Sequence, residues 1–78
     1  LGMDAEALPY HLKAIQLTPT NPDAWCNYGL SLLALKKYAE SVQALERGFE
    51  LAPHDLDIRL NLAVALFKKF QAEEAKLA

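Results

Sequence analysis

The fold is decided by residues 21–54, which read NPDAWCNYGLSLLALKKYAESVQALERGFELAPH. The stretch opens with Asn21-Pro22-Asp23, which is a typical helix start. The Asn side chain can accept a hydrogen bond from a free backbone N–H of the first turn, and the N–H that Pro lacks would have no partner there. The Asp carboxylate interacts favourably with the positive end of the helix dipole. It closes at Pro53, which disfavours helix in the residue before it. Between these ends, the helical spacing of apolar residues predicts helices at about 22–35 and 39–50.

The same pattern occurs again 34 residues away in both directions. The positions that agree are Leu17 with Leu51, Pro19 with Pro53, Asn21 with Asp55, Asp23 with Asp57, Asn27 with Asn61, Gly29 with Ala63, Leu32 with Leu66, and Glu6 with Glu40 and Glu74. Because turn, cap and core residues agree together, we infer a repeat of helix pairs. The chain is predicted to be one all-α domain over residues 1–78, in which 1–21 end a preceding repeat, 22–55 form a complete repeat and 56–78 form a truncated following repeat.

The following repeat is predicted to begin its second helix before residue 78. Asp55 is expected to cap a first helix over about 56–69, and a short second helix is expected over 72–78. Arg59 stands where Trp25 predicts an aromatic residue. The packing of this last unit is therefore expected to be loose.

The apolar faces of these helices define the expected core. The residues expected to be buried are Trp25, Tyr28, Gly29, Leu32, Leu45 and Leu51. Gly29 lies in mid-helix, where Gly costs about 1 kcal/mol relative to Ala, so a close approach of a neighbouring helix is expected there. Upstream, Pro9 is expected to remove one backbone hydrogen bond from its helix.

Composition limits the partners of the chain. Its 78 residues allow one domain at most, and 53 % hydrophobic residues with only 3 Gly indicate packed helices. The net charge of −2 results from charges of both signs that are interspersed without a basic block, so neither nucleic acid nor an anionic membrane is an expected partner.

No apolar run approaches the ~20 residues that span a bilayer. The start at Leu1-Gly2, without a signal segment, suggests a piece of a longer protein.

No convincing constellation of catalytic, metal-binding or cofactor-binding residues occurs in the sequence. His54, Asp55 and Asp57 can be interpreted as metal ligands or as a polar turn with a helix cap. His11 is either a base or the occupant of a half-buried position that Leu takes in the next repeat. Cys26 is the single cysteine, so an internal disulfide is excluded and a reducing compartment such as the cytoplasm is favoured. No cationic residue stands at helical spacing from Cys26 to lower the pKa of its thiol. We therefore expect no enzyme activity, cofactor or metal.

The first helix of each repeat carries a second apolar stripe. The stripe consists of Cys26, Leu30 and Leu33 in one helix and of Leu60, Val64 and Phe67 in the next. A helix of a soluble protein normally keeps this second face polar, so something must cover the stripe. Neighbouring helices of the same fold and a bound partner remain the two alternatives.

Asn27 and Asn61 fall one period apart, at matching points of matching helices. A side-chain amide both donates and accepts, so it can pair with the backbone of an extended peptide without reading the peptide's sequence. The alternative is that these amides tie adjacent helices together.

The 34-residue pattern resembles the tetratricopeptide repeat family. Trp25, Gly29 and Pro53 match its signature, while Leu32, Ser41, Leu45 and Gly48 match it by size and polarity and Tyr28 replaces the usual Leu. The resemblance covers essentially the whole chain. It implies an α-solenoid of antiparallel helix pairs, in which the first helices of successive repeats line a concave channel for peptides.

The resemblance also implies a function, that of a scaffold binding a peptide or protein segment with apolar side chains in the channel. The peptide-binding residues that it implies are Asn27, Asn61, Cys26, Leu30, Leu60, Val64 and Phe67. Chaperone-type members of the family clamp an acidic C-terminus with Lys, Arg and Asn. The corresponding places here hold Cys26, Leu30, Asp57 and Asn61, so that binding mode is not expected.

The alternative function is self-assembly, in which copies stack through the open ends of the solenoid. At one end the contact is expected to use Leu1, Leu8 and Leu12, and at the other Leu66, Phe67 and Phe70. A symmetric dimer is the default expectation for such a contact.

Overall fold

Four helices make up the part of the chain that the computed structural model describes, residues 3–77, with side chains from 5 to 76. They are α1 (Met3–Leu17), α2 (Pro22–Ala34), α3 (Tyr38–Leu51) and α4 (Leu56–Leu77). Each helix packs against the next, and α4 also touches α2. No strand occurs over residues 3–77. The predicted all-α fold of antiparallel helix pairs is confirmed.

The helix starts form as the sequence predicts. The side-chain oxygen of Asn21 accepts a hydrogen bond from the N–H of Asp23 at 3.0 Å, directly before the Pro22 that begins α2. Asp55 does the same for α4, because its Oδ1 accepts from the N–H groups of Asp57 at 3.0 Å and Ile58 at 3.2 Å. Both caps satisfy donors that the first turn of a helix leaves free.

The core lies where α3 packs between α2 and α4. Its fully buried side chains include Leu32, Leu45 and Ile58, each at most 1 % exposed. The predicted burial of Gly29, Leu32 and Leu45 is confirmed. Ile58 and Ala65 on α4 also belong to this core, and their burial was not predicted.

Trp25, Tyr28 and Leu51 are only half-buried, so the prediction of their burial was too strong. The indole of Trp25 explains its position, because its Nε1–H donates to the carbonyl oxygen of Pro19 at 2.9 Å. This bond holds the ring at the turn between α1 and α2, where solvent reaches it. In the upstream helix, α1 continues through Pro9 and ends at Leu17.

The close helix approach expected at Gly29 is confirmed. A Cβ atom at Gly29 would lie 2.6 Å from Cγ of the buried Leu45, which is closer than real Cβ contacts allow. In addition, the hydroxyl of Ser41 donates to the carbonyl oxygen of Gly29 at 2.7 Å. The missing side chain therefore lets α3 lie directly on α2.

Two Gly-to-Ala substitutions are expected to have opposite effects on stability. Gly29→Ala should destabilise the chain by about 1 kcal/mol, because crowding against Leu45 exceeds the gain of up to ~1 kcal/mol in helix propensity. Gly48→Ala should stabilise it by up to ~1 kcal/mol, since a Cβ there would lie 3.4 Å from its nearest neighbour, the carbonyl oxygen of Pro22. Urea unfolding of both variants measures the difference. A change of the same sign in both would contradict the tight contact at Gly29 and the ordinary spacing at Gly48.

The prediction of two helices over 56–69 and 72–78 is wrong, because α4 continues from Leu56 to Leu77 without a turn. The corresponding turn after α2 places Lys36 at a φ of 65°, a conformation that costs an L-residue roughly 1–2 kcal/mol. That cost is offset because the turn lets α3 bury Val42 and Leu45. Phe70 occupies the equivalent place in α4. Among the described side chains that follow it, only Ala72 and Ala75 are apolar, so a second helix there would bury little. Continuing α4 therefore costs less free energy than a turn at Phe70.

Candidate protein-binding surface

Two matching rows of side chains lie on α2 and α4, which are equivalent helices in the 34-residue period. Each row contains an acid, then an Asn four residues later and an aliphatic residue three further on, a spacing that keeps all three on one side of a helix. We call this surface the inner face, and its members are Asp23, Asn27 and Leu30 on α2 and Asp57, Asn61 and Val64 on α4. Five of the six are exposed, and Asn61 is half-buried.

The two Asn residues, equivalent in sequence, have different surroundings. Asn61 Nδ2 donates to Cys26 Sγ at 3.5 Å, which joins α4 to α2. Asn27 is exposed, and within the described residues its side chain makes no hydrogen bond. The difference arises because Asn61 reaches back to α2, whereas Asn27 would need a first helix before α1, and residues 3–77 contain none.

Cys26 lies between the two rows and is half-buried. Burial raises the pKa of its thiol above the usual value; the hydrogen bond from Asn61 lowers that pKa, and the carboxylates of Asp55, Asp23 and Asp57 raise it further. The thiol is therefore protonated at neutral pH and is a poor nucleophile. The same carboxylates make the helix-start end of the inner face acidic, so it favours cations over anions.

The structure does not bring all seven predicted peptide-binding residues together. Asn27, Leu30, Asn61 and Val64 lie on the inner face, and Cys26 lies at the contact between α2 and α4. Leu60 and Phe67, 63 % and 60 % exposed, lie on the side of α4 opposite the buried Ile58 and Ala65. We call this surface the outer side of α4.

The 34-residue period explains the position of the outer side. Leu60 and Phe67 correspond to Cys26 and Leu33, and those two pack against the core cluster formed by Val42, Leu45 and Ala65. In the complete repeat, therefore, these positions face the next repeat rather than an open channel. Sequence spacing alone did not separate the two surfaces, because both belong to one broad apolar stripe.

The polar turn between α3 and α4 has a structural role that is visible in its hydrogen bonds. Asp55 uses its carboxylate to cap α4, and His54 and Asp57 are exposed beside it. No group of three or more His, Cys, Asp or Glu arranged to hold a metal ion occurs in the described part of the chain. His11 is half-buried on α1.

A basic hollow beside the start of α3 was not anticipated from the sequence. It encloses about 340 Å³, and the lysines that line it are Lys36, Lys37, Lys69 and Lys76. The hollow exists because α4 continues straight past Phe70 instead of turning back. Its charge is partly balanced, since Lys69 Nζ lies 3.5 Å from an oxygen of Glu73 and Glu40 also lines it.

Comparison with known proteins agrees with this architecture. Two family models described as tetratricopeptide repeat match residues 12–43 and 32–78. An uncharacterized protein of Methanocaldococcus jannaschii is 41 % identical over 49 residues, which are 63 % of this chain and 57 % of that protein, so the match spans less than two thirds of the relative's length. None of the helices over residues 3–77 is long and apolar enough to cross a membrane. The chain belongs to the tetratricopeptide repeat family, whose repeats generally mediate protein–protein interaction.

Proposed function

We propose that the chain is a non-catalytic interaction module whose inner face holds an extended peptide or protein segment. Proteins of this family are typically non-enzymatic scaffolds. The observation that carries the proposal is the inner face itself, where Leu30 and Val64, each 38 % exposed, stand at equivalent positions of two neighbouring helices. A partner that covers both side chains removes apolar surface from water, worth about 25 cal/mol per Å².

The amides supply contacts to the backbone of the partner. Asn27 is exposed and has a donor and an acceptor to offer to a peptide group. Asn61 uses one N–H on Cys26, and its carbonyl oxygen and second N–H stay available. In this arrangement apolar side chains provide the specificity, and the amides hold the main chain without reading the sequence.

The charge of the inner face limits the kind of partner that it can bind. Asp23 and Asp57, both exposed, begin the two rows, and Asp55 lies close enough to Cys26 to affect its pKa. We therefore propose a partner with apolar side chains and a Lys or Arg toward the helix-start end, rather than an acidic C-terminus, nucleic acid or an anionic membrane.

The organisation of the repeats supports this function. We propose that residues 22–55 form the complete repeat, that 1–21 end a preceding repeat and that 56–78 belong to a following one. The support is that α1 matches α3, and α4 matches α2, across the 34-residue period. A longer array of such repeats would extend the inner face from two rows to several.

Peptide binding to single-residue variants tests the proposal. Peptides selected from a display library on the wild-type chain should bind Asn27→Ala about 5-fold more weakly, the equivalent of one hydrogen bond of ~1 kcal/mol, with an unchanged melting temperature. Asn61→Ala should weaken binding and also lower stability, because it loses the bond to Cys26. Fluorescence anisotropy gives the affinities.

The matched control is Gln43→Ala, since Gln43 is an exposed amide on α3, away from the inner face. It should bind the selected peptides as the wild type does. If Asn27→Ala also binds them with unchanged affinity, Asn27 has no role in binding. If every selected peptide binds Leu30→Lys as tightly as it binds the wild type, the inner face is not the binding site.

A second candidate function, self-association through the end helices, has its own observation. The chain exposes 5465 Å², whereas a compact monomer of 8.7 kDa exposes about 4,700 Å² by the usual size scaling. Part of the excess is apolar, because Leu66, Phe67 and Phe70 at one end are 47 %, 60 % and 59 % exposed. At the other end Leu12 is exposed and Leu8 is half-buried, while Leu1 lies outside the described residues.

A further inference from the structure

We propose that a hollow between α2 and α3 is a second binding site, and that it takes an arginine side chain of a partner protein. The hollow encloses about 410 Å³. We call it the aromatic hollow, and the side chains around it are Trp25 and Tyr28 on α2 and Glu40, Gln43, Arg47 and Glu50 on α3. Trp25 and Tyr28 lie on the side of α2 opposite the inner face, so this site is distinct from the one proposed above.

The aromatic hollow lies within residues 22–55, between α1 and α4. In the described structure α1 packs against α2, and α4 packs against α3. Trp25 and Tyr28 are both half-buried, so part of each side chain reaches solvent. Ala44, 3 % exposed, also lines the hollow, and its small side chain leaves the space between the two helices open. A side chain from outside can therefore reach both aromatic residues.

Packing within the repeat does not require Tyr28. On α4 the positions equivalent to Trp25 and Tyr28 hold Arg59 and Leu62. Leu62 packs against the core cluster with an aliphatic side chain alone. A Leu therefore satisfies the packing at this position, and Tyr28 adds an aromatic ring and a hydroxyl group beside Trp25. This aromatic pair indicates a role other than packing.

The charges around the aromatic hollow favour a cation. Two carboxylates, those of Glu40 and Glu50, line it together with one guanidinium, that of Arg47. Arg47 already has a partner, because its Nη1 lies 3.6 Å from Oε2 of Glu50. Glu40 is exposed and also borders the basic hollow, yet it makes no ion pair within residues 5–76. The carboxylate of Glu40 is therefore the charge that a ligand can neutralise.

An arginine side chain matches these groups better than a lysine or an apolar side chain does. Its guanidinium has five N–H donors and no acceptor, so it can pair with the carboxylate of Glu40 and the amide oxygen of Gln43. Its flat face stacks on aromatic rings, and Trp is the best ring for a cation. An apolar side chain would cover Glu40 without giving its carboxylate a partner. The chemistry of the hollow therefore selects arginine.

The fluorescence of Trp25 tests the site directly, because Trp25 is the single Trp of the chain. The probe is N-acetyl-arginine amide, titrated at constant ionic strength. The wild type should bind it with a Kd on the order of 1–10 mM, a weak affinity on the usual scale. N-acetyl-citrulline amide, in which an oxygen replaces the charged nitrogen, should bind about 10-fold more weakly. N-acetyl-lysine amide should bind about 3-fold more weakly than the arginine probe.

Four variants locate the binding. Glu40→Gln and Tyr28→Leu should each weaken binding of the arginine probe about 5-fold, because one removes the carboxylate and the other an aromatic face. Arg47→Gln should tighten binding about 3-fold, since it removes a like charge. The matched control is Glu46→Gln, which makes the same change as Glu40→Gln at an exposed position of α3 that does not line the hollow. It should bind as the wild type does, and circular dichroism should show equal helix content in all four.

Three results would overturn the proposal. Equal binding of the arginine and citrulline probes, or equal losses in Glu40→Gln and Glu46→Gln, would mean that the hollow does not recognise a cation. A lysine probe that binds as tightly as the arginine probe would contradict the choice of arginine. A wild type whose Trp25 fluorescence shows no saturable change would mean that the hollow is not a binding site. None of these results bears on the inner face, because it lies on the opposite side of α2.

Discussion

Replacing Leu45 with Ala is expected to lower the free energy of unfolding by about 3 kcal/mol, within the 2–5 kcal/mol typical of buried leucines. Leu45 is 0 % exposed and packs in one cluster with Val42 and Ala65, so it ties α3 to α4. It also lies against Gly29 of α2. The cavity left by the substitution would therefore open between three helices at once.

Urea unfolding followed by circular dichroism measures this loss. A chain of 78 residues has roughly 4–12 kcal/mol of stability in all, so the variant should have a much lower midpoint. Leu30→Ala is the matched control, since the same side chain is removed where it is 38 % exposed, and it should cost less than ~1 kcal/mol. Equal losses in the two variants would mean that α3 is not the centre of the core.

Replacing Trp25 with Ala is expected to cost about 2–4 kcal/mol. A fully buried Trp would cost 3–5 kcal/mol, and the half-buried position of Trp25 reduces that figure. The loss has two parts, the packing of the indole and its hydrogen bond to the carbonyl oxygen of Pro19. Both parts hold the turn between α1 and α2, so α1 should loosen first.

Trp25→Phe separates the two parts. It keeps most of the apolar packing and removes the donor, so it should cost about 1 kcal/mol, the usual net value of one hydrogen bond. Hydrogen exchange should show α1 losing protection in Trp25→Ala, while the amides of α3 keep most of theirs. A Trp25→Phe variant as unstable as Trp25→Ala would show that the bond, and not the packing, holds α1.

The sequence by itself determined α2, α3, the caps of α2 and α4, and the repeat. Asn21 and Asp55 cap α2 and α4 as predicted, because a cap depends on groups two or three residues apart. The close approach at Gly29 was also predictable, since a Gly in mid-helix needs a reason to be there. The correspondence of Asn27 with Asn61 and of Leu30 with Val64 followed from the 34-residue period, which places equivalent residues on equivalent helices.

Only the tertiary structure decided the features that depend on a neighbouring helix. A turn at Phe70 needs a following helix to offset its cost, so α4 continues to Leu77 although the equivalent segment after α2 turns back. Asn61 bonds to Cys26 because α2 lies beside it. Leu60 and Phe67 stay exposed because no described helix covers the outer side of α4. Local pattern sets where a helix begins, but burial and pairing are properties of two segments that meet in space, and a period in the sequence does not say whether the second segment is there.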